Sequence, residues 1–229
     1  STVNNIPVAI RLTGALDVPA LRAAVADVVE RHESLRTVFP AVDGVGYQVV
    51  RPAAEIGELL PVDTVAADDL LERIAALTGA GFDLTADIPL RAALFAVSPT
   101  EHALVFVVHH IAADGFSIGP LTRDVMAAYA ARSAGVAPGW EPLAVQYPDY
   151  TLWQREVLGA EDDPTSVLAQ QISFWKQALA GLPDQLDLPT DRPRPAVATN
   201  HGATHRFALD ADLSRAVDEF ARQHSVTPF

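Results

Sequence analysis

The stretch Val105-Phe106-Val107-Val108-His109-His110-Ile111-Ala112-Ala113-Asp114-Gly115 ends a strongly apolar run in two adjacent histidines, with an aspartate and a glycine following. An imidazole is costly to place at the end of a buried strand unless it has a task or a partner. With a reference pKa of about 6.5, it is the usual proton shuttle near neutral pH. The first chemistry to consider is therefore a general base at a strand-to-helix turn. A strand alternates its side chains between two faces, so His109 and His110 should point in opposite directions. One can then face a pocket while the other packs behind the sheet.

His109 shares its alternation with Val105 and Val107, which gives it a structural role. For His110 the residue types leave two readings, a proton-handling group or a satisfied buried histidine. Asp114 has the chemistry of a triad-like orienter, a metal ligand or a loop brace. A metal held by His110 and Asp114 lacks a third ligand at helpful spacing, so no metal site is expected. Gly115 supplies the backbone freedom that a sharp turn needs.

The elements that must position these residues follow from periodicity. Residues 90–97 and 103–109 read as two strands of a hairpin leading into the histidines. Ile118, Leu121, Val125, Ala128 and Tyr129 mark one side of the helix that follows. Ahead of them, residues 6–12 read as a strand. Asp17 and Pro19 open a helix running to about His32, with Leu21, Val25, Val28 and Val29 as its buried stripe. Strands are expected at 35–39 and 47–51 around a turn at Gly44, and a helix at 68–77. Further helices are expected at 150–157, 166–179 and 211–224, a strand at 203–209, and a proline-containing extended connector at about 183–200. Strands alternating with helices, plus one hairpin, indicate an α/β sandwich with a mixed sheet flanked by helices.

Composition bounds the function. The 229 residues are 49% hydrophobic and 20% charged, enough for a sizeable core. A net charge of −13 opposes binding to nucleic acid or an anionic membrane, and otherwise serves solubility. The absence of cysteine rules out disulfides and thiolate chemistry within these residues. There is no apolar run of about 20 residues and no basic-then-apolar leader, so a cytoplasmic location is expected.

These residues carry a resemblance. His109-His110-x-x-x-Asp114-Gly115 resembles the HHxxxDG signature of condensation domains of nonribosomal peptide synthetases, shared with relatives of chloramphenicol acetyltransferase. Arg31-His32-Glu33-Ser34-Leu35-Arg36-Thr37-Val38-Phe39 resembles the family's RHExLRTxF segment. Tyr147-Pro148-Asp149-Tyr150-Thr151-Leu152-Trp153 resembles its YxDYAxW segment. All three occur in the family's order. The family's opening Ser-x-Ala-Gln-x-Arg-Leu-Trp segment has no counterpart before Asn5. Its second half has none after Phe229.

The resemblance therefore implies the N-terminal lobe, residues 1–229, of a two-lobed domain with a chloramphenicol-acetyltransferase-like sandwich. It implies amide formation between a donor thioester and an acceptor amine. Both would ride on the 4'-phosphopantetheine arms of donor and acceptor peptidyl carrier proteins, with an adenylation domain adjacent and no cofactor bound by the domain itself. His110 would be the catalytic residue. His109, Asp114 and Gly115 would support it, Asp114 by pairing with an arginine supplied by the second half of the domain and Gly115 by leaving room for substrate. Arg31, His32, Arg36, Tyr147, Asp149, Tyr150 and Trp153 would be architecture, the last three in a packed helix behind the motif loop. The isolated lobe is expected to be inactive. Alternatives are an epimerisation domain, a catalytically silent recruitment domain of the same fold, and a stand-alone acyltransferase. The second and third segments disfavour the last.

Overall fold

The computed structural model describes residues 2–199 and 202–229. Asn200, at the end of the expected connector, and His201 lie outside the described residues. The chain divides into two compact units, residues 1–178 and 179–229.

In the first unit the elements run β1 (Asn5–Thr13), α1 (Val18–Arg31), β2 (Thr37–Val38), β3 (Ala41–Val42), β4 (Val45–Gly46), β5 (Val49–Val50), β6 (Val62–Thr64), α2 (Leu70–Thr78), β7 (Leu90–Ser98), β8 (Glu101–His109), α3 (Ile118–Ser133), α4 (Tyr147–Leu158) and α5 (Val167–Ala178). The main sheet has the order β1-β8-β7-β6. It is mixed. β1 and β7 both run antiparallel to β8, and β6 runs parallel to β7. Register pairs Asn5 with His109 and Val8 with Phe106 on one side of β8, and Ala92 with Phe106 on the other.

The motif strand β8 is central and covered on both faces, which explains why its sequence is continuously apolar rather than alternating. Leu104, Phe106 and Val108 join the core built on Leu21, Val25, Val28 and Val29 of α1, against which Leu121, Val125 and Tyr129 of α3 pack. Val105 and Val107 point to the opposite core, closed by Leu70, Ile74 and Leu77 of α2 and by Phe82. Helix α1 begins where Asp17 accepts a hydrogen bond from the Ala20 N–H at 2.9 Å, with a proline in the first turn.

Residues 35–39 do not form a five-residue strand. Glu33–Arg36 is a 3₁₀ turn, and only Thr37–Val38 is strand. The Thr37 hydroxyl donates to the Glu33 carbonyl at 2.7 Å, and Arg36 donates to the Arg51 carbonyl at 2.6 Å, which closes the chain on itself there. Strand β6 has no expectation to match, because three residues, Val62-Asp63-Thr64, carry no readable period.

The second unit holds α6 (Ala211–Gln223), started by Asp210, whose carboxylate accepts from the Leu213 N–H at 2.8 Å. The strand expected at 203–209 is absent. Those residues are exposed and have no partner strand among the described residues, and a strand needs a neighbour to satisfy its backbone. No described helix is long and apolar enough to cross a membrane.

Candidate active site

His109 is the last residue of β8, and His110 is the first beyond it. The strand holds both. The His109 N–H donates to the Pro89 carbonyl at 2.9 Å, and the His110 N–H donates to the Asn4 carbonyl at 2.8 Å. The Asn5 side chain in turn donates to the Thr78 and Ala80 carbonyls at 2.9 and 2.8 Å, tying β1 to the end of α2.

The two histidines meet different surroundings. The His109 ring lies edge-on to Phe82 at 5.8 Å, on the α2 side of the sheet. Its Nδ1 accepts the Ile111 N–H at 3.1 Å. Partial burial holds its pKa below the usual histidine value, assisted by the neighbouring charge of His110. A neutral ring with Nδ1 free to accept is the form that this hydrogen bond requires. His110 is exposed at the turn, and no hydrogen bond among the described residues engages its ring.

The loop that follows is held from its far end. The Asp114 carboxylate accepts from the Ser117 N–H at 3.0 Å and from the Ser117 hydroxyl at 2.6 Å. The Asp114 N–H donates back to that hydroxyl oxygen at 3.0 Å. The hydrogen bonds from Ser117, its side chain first and then its backbone, hold the Asp114 carboxyl below the ordinary aspartate range. The arginine implied for Asp114 is one of the second half of the domain; within the described residues Asp114 is exposed and Ser117 is its partner. Ser117 is the partner that the sequence reading missed. Its signal was the Asp-x-x-Ser spacing just ahead of a helix.

Gly115 also departs from expectation. Its φ lies outside the left-handed region, and a Cβ built on it would meet nothing within 4 Å. The turn therefore does not require glycine, and the vacant space beside it is the feature left to explain.

Behind the loop, α3 is anchored to α1 by a buried carboxylate. Asp124 accepts from His32 Nε2 at 2.8 Å, from Arg31 Nε at 3.1 Å and from the neighbouring Arg123 Nε at 3.2 Å. Burial acts to raise the Asp124 pKa. The hydrogen bonds from His32, Arg123 and Arg31 outweigh it and leave the value lowered. Arg31 and His32 thus meet α3 through a residue outside all three motifs. Gln146 makes the next link, donating to the Arg31 carbonyl at 2.9 Å and accepting from the Glu33 N–H at 3.2 Å. Asp149 caps α4 by accepting from the Gln146 N–H at 2.8 Å.

The aromatic residues of α4 are not packed, contrary to expectation. Tyr147, Tyr150 and Trp153 are 55%, 43% and 57% exposed. They touch one another in sequence, at 5.8 and 5.7 Å between ring centres. Capping and the Gln146 links hold the helix start, and nothing among the described residues covers this face.

No described group of three or more His, Asp or Glu side chains is placed to hold a metal ion. What the site offers is one exposed imidazole at the end of a rigid central strand, a pinned loop and open space at Gly115.

The chain belongs to the condensation-domain family, whose model matches residues 1–228. It is 54% identical to the isonitrile lipopeptide synthase of Mycobacterium tuberculosis, over 99% of this chain and 9% of that protein. It is 48% identical to a dimodular nonribosomal peptide synthase of Bacillus subtilis, over 100% of this chain and 10% of that protein. Among solved structures, the X-domain from teicoplanin biosynthesis superposes with a TM-score of 0.86 at 41% identity, covering 97% of this chain and 49% of that one. A complex of that X-domain with OxyB superposes equally well at 40% identity, over 97% of this chain and 48% of the other. The chain thus spans about half of these structures and a tenth or less of these synthetases. The mixed sheet flanked by helices is the condensation-domain sandwich.

Proposed function

We propose that this chain supplies the catalytic half of a domain that forms an amide between a donor acyl thioester and an acceptor amine, each carried on the phosphopantetheine arm of a peptidyl carrier protein. The observation that carries this reading is His110, an exposed imidazole pinned by its backbone at the end of the central strand. The acceptor nitrogen attacks the thioester carbonyl carbon, the carbon–sulfur bond breaks, and the nitrogen loses a proton as the thiol is released. His110 takes or directs that proton. His109 fixes the backbone at Ile111, Asp114 and Ser117 fix the loop, and Gly115 leaves room for the reacting groups. A thioester is already activated, so alignment of two tethered reactants supplies much of the rate. No metal or bound cofactor has a part in these steps. An adenylation domain and the second half of the sandwich complete the set of neighbours this reading requires, and the cytoplasm is the location proposed.

The test is His110→Ala in the complete domain, assayed with loaded carriers. Amide formation should fall about 100-fold or more, the scale of losing a positioned general base. A rate within a few-fold of wild type would remove His110 from catalysis. That outcome would favour the second reading, recruitment of a partner enzyme, which the likeness to an X-domain solved in complex with OxyB supports. An intact His110 favours condensation over recruitment.

A further inference from the structure

A cavity lies between the outer half of the sheet and α3, walled in part by the strand that ends in the histidines. Its volume is about 410 Å³. Val8 and Ile10 of β1, Phe106 of β8, and Ile118, Leu121 and Val125 of α3 set its walls. It shares its strand and its helix with the site. Phe106 is on the strand that ends in His109, and Ile118 is the first residue of the helix that follows Ser117.

The chemistry of the walls selects the occupant. No acidic or basic side chain lines the cavity, and Thr122 and Tyr129 carry its only side-chain polar groups. The Tyr129 hydroxyl oxygen is already engaged, accepting the Asp17 N–H at 3.1 Å. An aminoacyl donor would bring an ammonium with no carboxylate to meet it. A peptidyl donor would bring amides with almost nothing to bond, and unpaired polar groups are expensive in such a place. A free fatty acid would bring a carboxylate with no cation. A hydrocarbon chain presented as an uncharged thioester satisfies every wall. A dry cavity of about 150 Å³ holds the six carbons of benzene; on that scale this one has room for roughly eight to sixteen carbons.

We propose that this cavity receives the unbranched aliphatic chain of a donor acyl thioester, so that the donor is a fatty acyl group rather than an aminoacyl or peptidyl one. The proposal rests on the condensation reading and names its substrate class.

The test is calorimetric binding of S-acyl pantetheines to the full 229-residue chain. Decanoyl-pantetheine should bind, and each methylene removed should weaken the Kd by up to about fourfold. Alanyl-pantetheine should bind at least 100-fold more weakly. Ile10 and Met126, both on the cavity's lining, are 36% and 67% exposed, so both can be changed without entering the core. Ile10→Trp should fill the cavity and Met126→Glu should charge its lining. Each should weaken decanoyl binding at least tenfold with an unchanged circular dichroism spectrum. Equal affinity for butanoyl and decanoyl probes, or wild-type affinity in both variants, would overturn the proposal. So would a dimer that Ile10→Trp separates and decanoyl-pantetheine leaves intact, since a second copy would then be the occupant.

Rates in the complete domain separate the two claims. If no amide forms but binding keeps its chain-length dependence, the condensation reading falls and the cavity stands. If alanyl and decanoyl donors react equally in wild type and Ile10→Trp, the cavity proposal falls and the condensation reading stands.

Discussion

Gly115 shows how a glycine can be demanded by something other than its backbone. With φ outside the left-handed region and no atom within 4 Å of a built Cβ, Gly115→Ala has no folding penalty to incur beyond the ordinary. Its melting temperature should match wild type within about 2 °C, the scale of a few tenths of a kcal/mol. Condensation by the complete domain should nevertheless drop at least tenfold, because the methyl group enters the space assigned to the reacting groups. An active Gly115→Ala domain would remove that assignment. His109 makes a second prediction. Its pKa is lowered in the fold, so the unfolded chain takes up the proton first as pH falls. Its contribution is complete above about pH 6.5 and is lost as pH falls through its lowered folded value. Urea unfolding from pH 7.5 to 5 should show this decline, and His109→Gln should flatten it.

Among the elements, α3 is the one on which the site depends, because Ser117 leads into it and Asp124 anchors it. Asp124→Ala strands Arg31 and His32 at the end of α1 and should cost about 1.5–3 kcal/mol, the range for a hydrogen bond to a charged group. Asp124→Asn keeps the shape but removes the charge. Since the Asp124 pKa is lowered in the fold, wild type holds this contribution above about pH 3.9 and loses it as pH falls through the folded value. Chemical denaturation between pH 6 and 2.5 should show that loss in wild type and not in Asp124→Asn. The start of α1, its buried stripe and the β7–β8 hairpin were readable because capping chemistry and period declare themselves locally. The Asp124 clamp was not. An aspartate inside an amphipathic helix looks like any solvated one until the fold brings up the end of α1, which is 92 residues away in sequence.

For the whole molecule, the aromatic face of α4 is the main departure from expectation. Tyr147, Tyr150 and Trp153 sit in a recognisable motif, so packing was the natural reading. Yet Leu152 and Val157 are also exposed on this helix, as are Phe174 and Trp175 on α5. Exposed large apolar side chains gathered on two successive helices mark an interface. The isolated chain should therefore self-associate in a concentration-dependent way by sedimentation velocity, and a Tyr150→Glu, Trp153→Glu double variant should remain monomeric at concentrations where wild type does not. The position of His110 at a strand end was legible because β8 is apolar throughout and then stops. The open surroundings of that histidine were not, since they depend on which side chains the rest of the chain brings nearby.

The pairing of β1 with β8 also has a consequence in time. Asn5 must find His109, and Thr13 must find Glu101, so the sheet is closed by contacts remote in the chain. Pairings of this kind form late and slowly. At roughly 5–20 residues per second on the ribosome, β1 is made about 5 to 20 seconds before the strand it pairs with. Throughout that interval Val8, Ile10 and Leu12 alternate along an unpaired edge, the arrangement most prone to wrong partners. The histidine loop thus exists as a site only after β1 has survived that wait. A synthesis-rate change or a chaperone that protects nascent β1 should alter the yield of folded protein without altering its stability once formed.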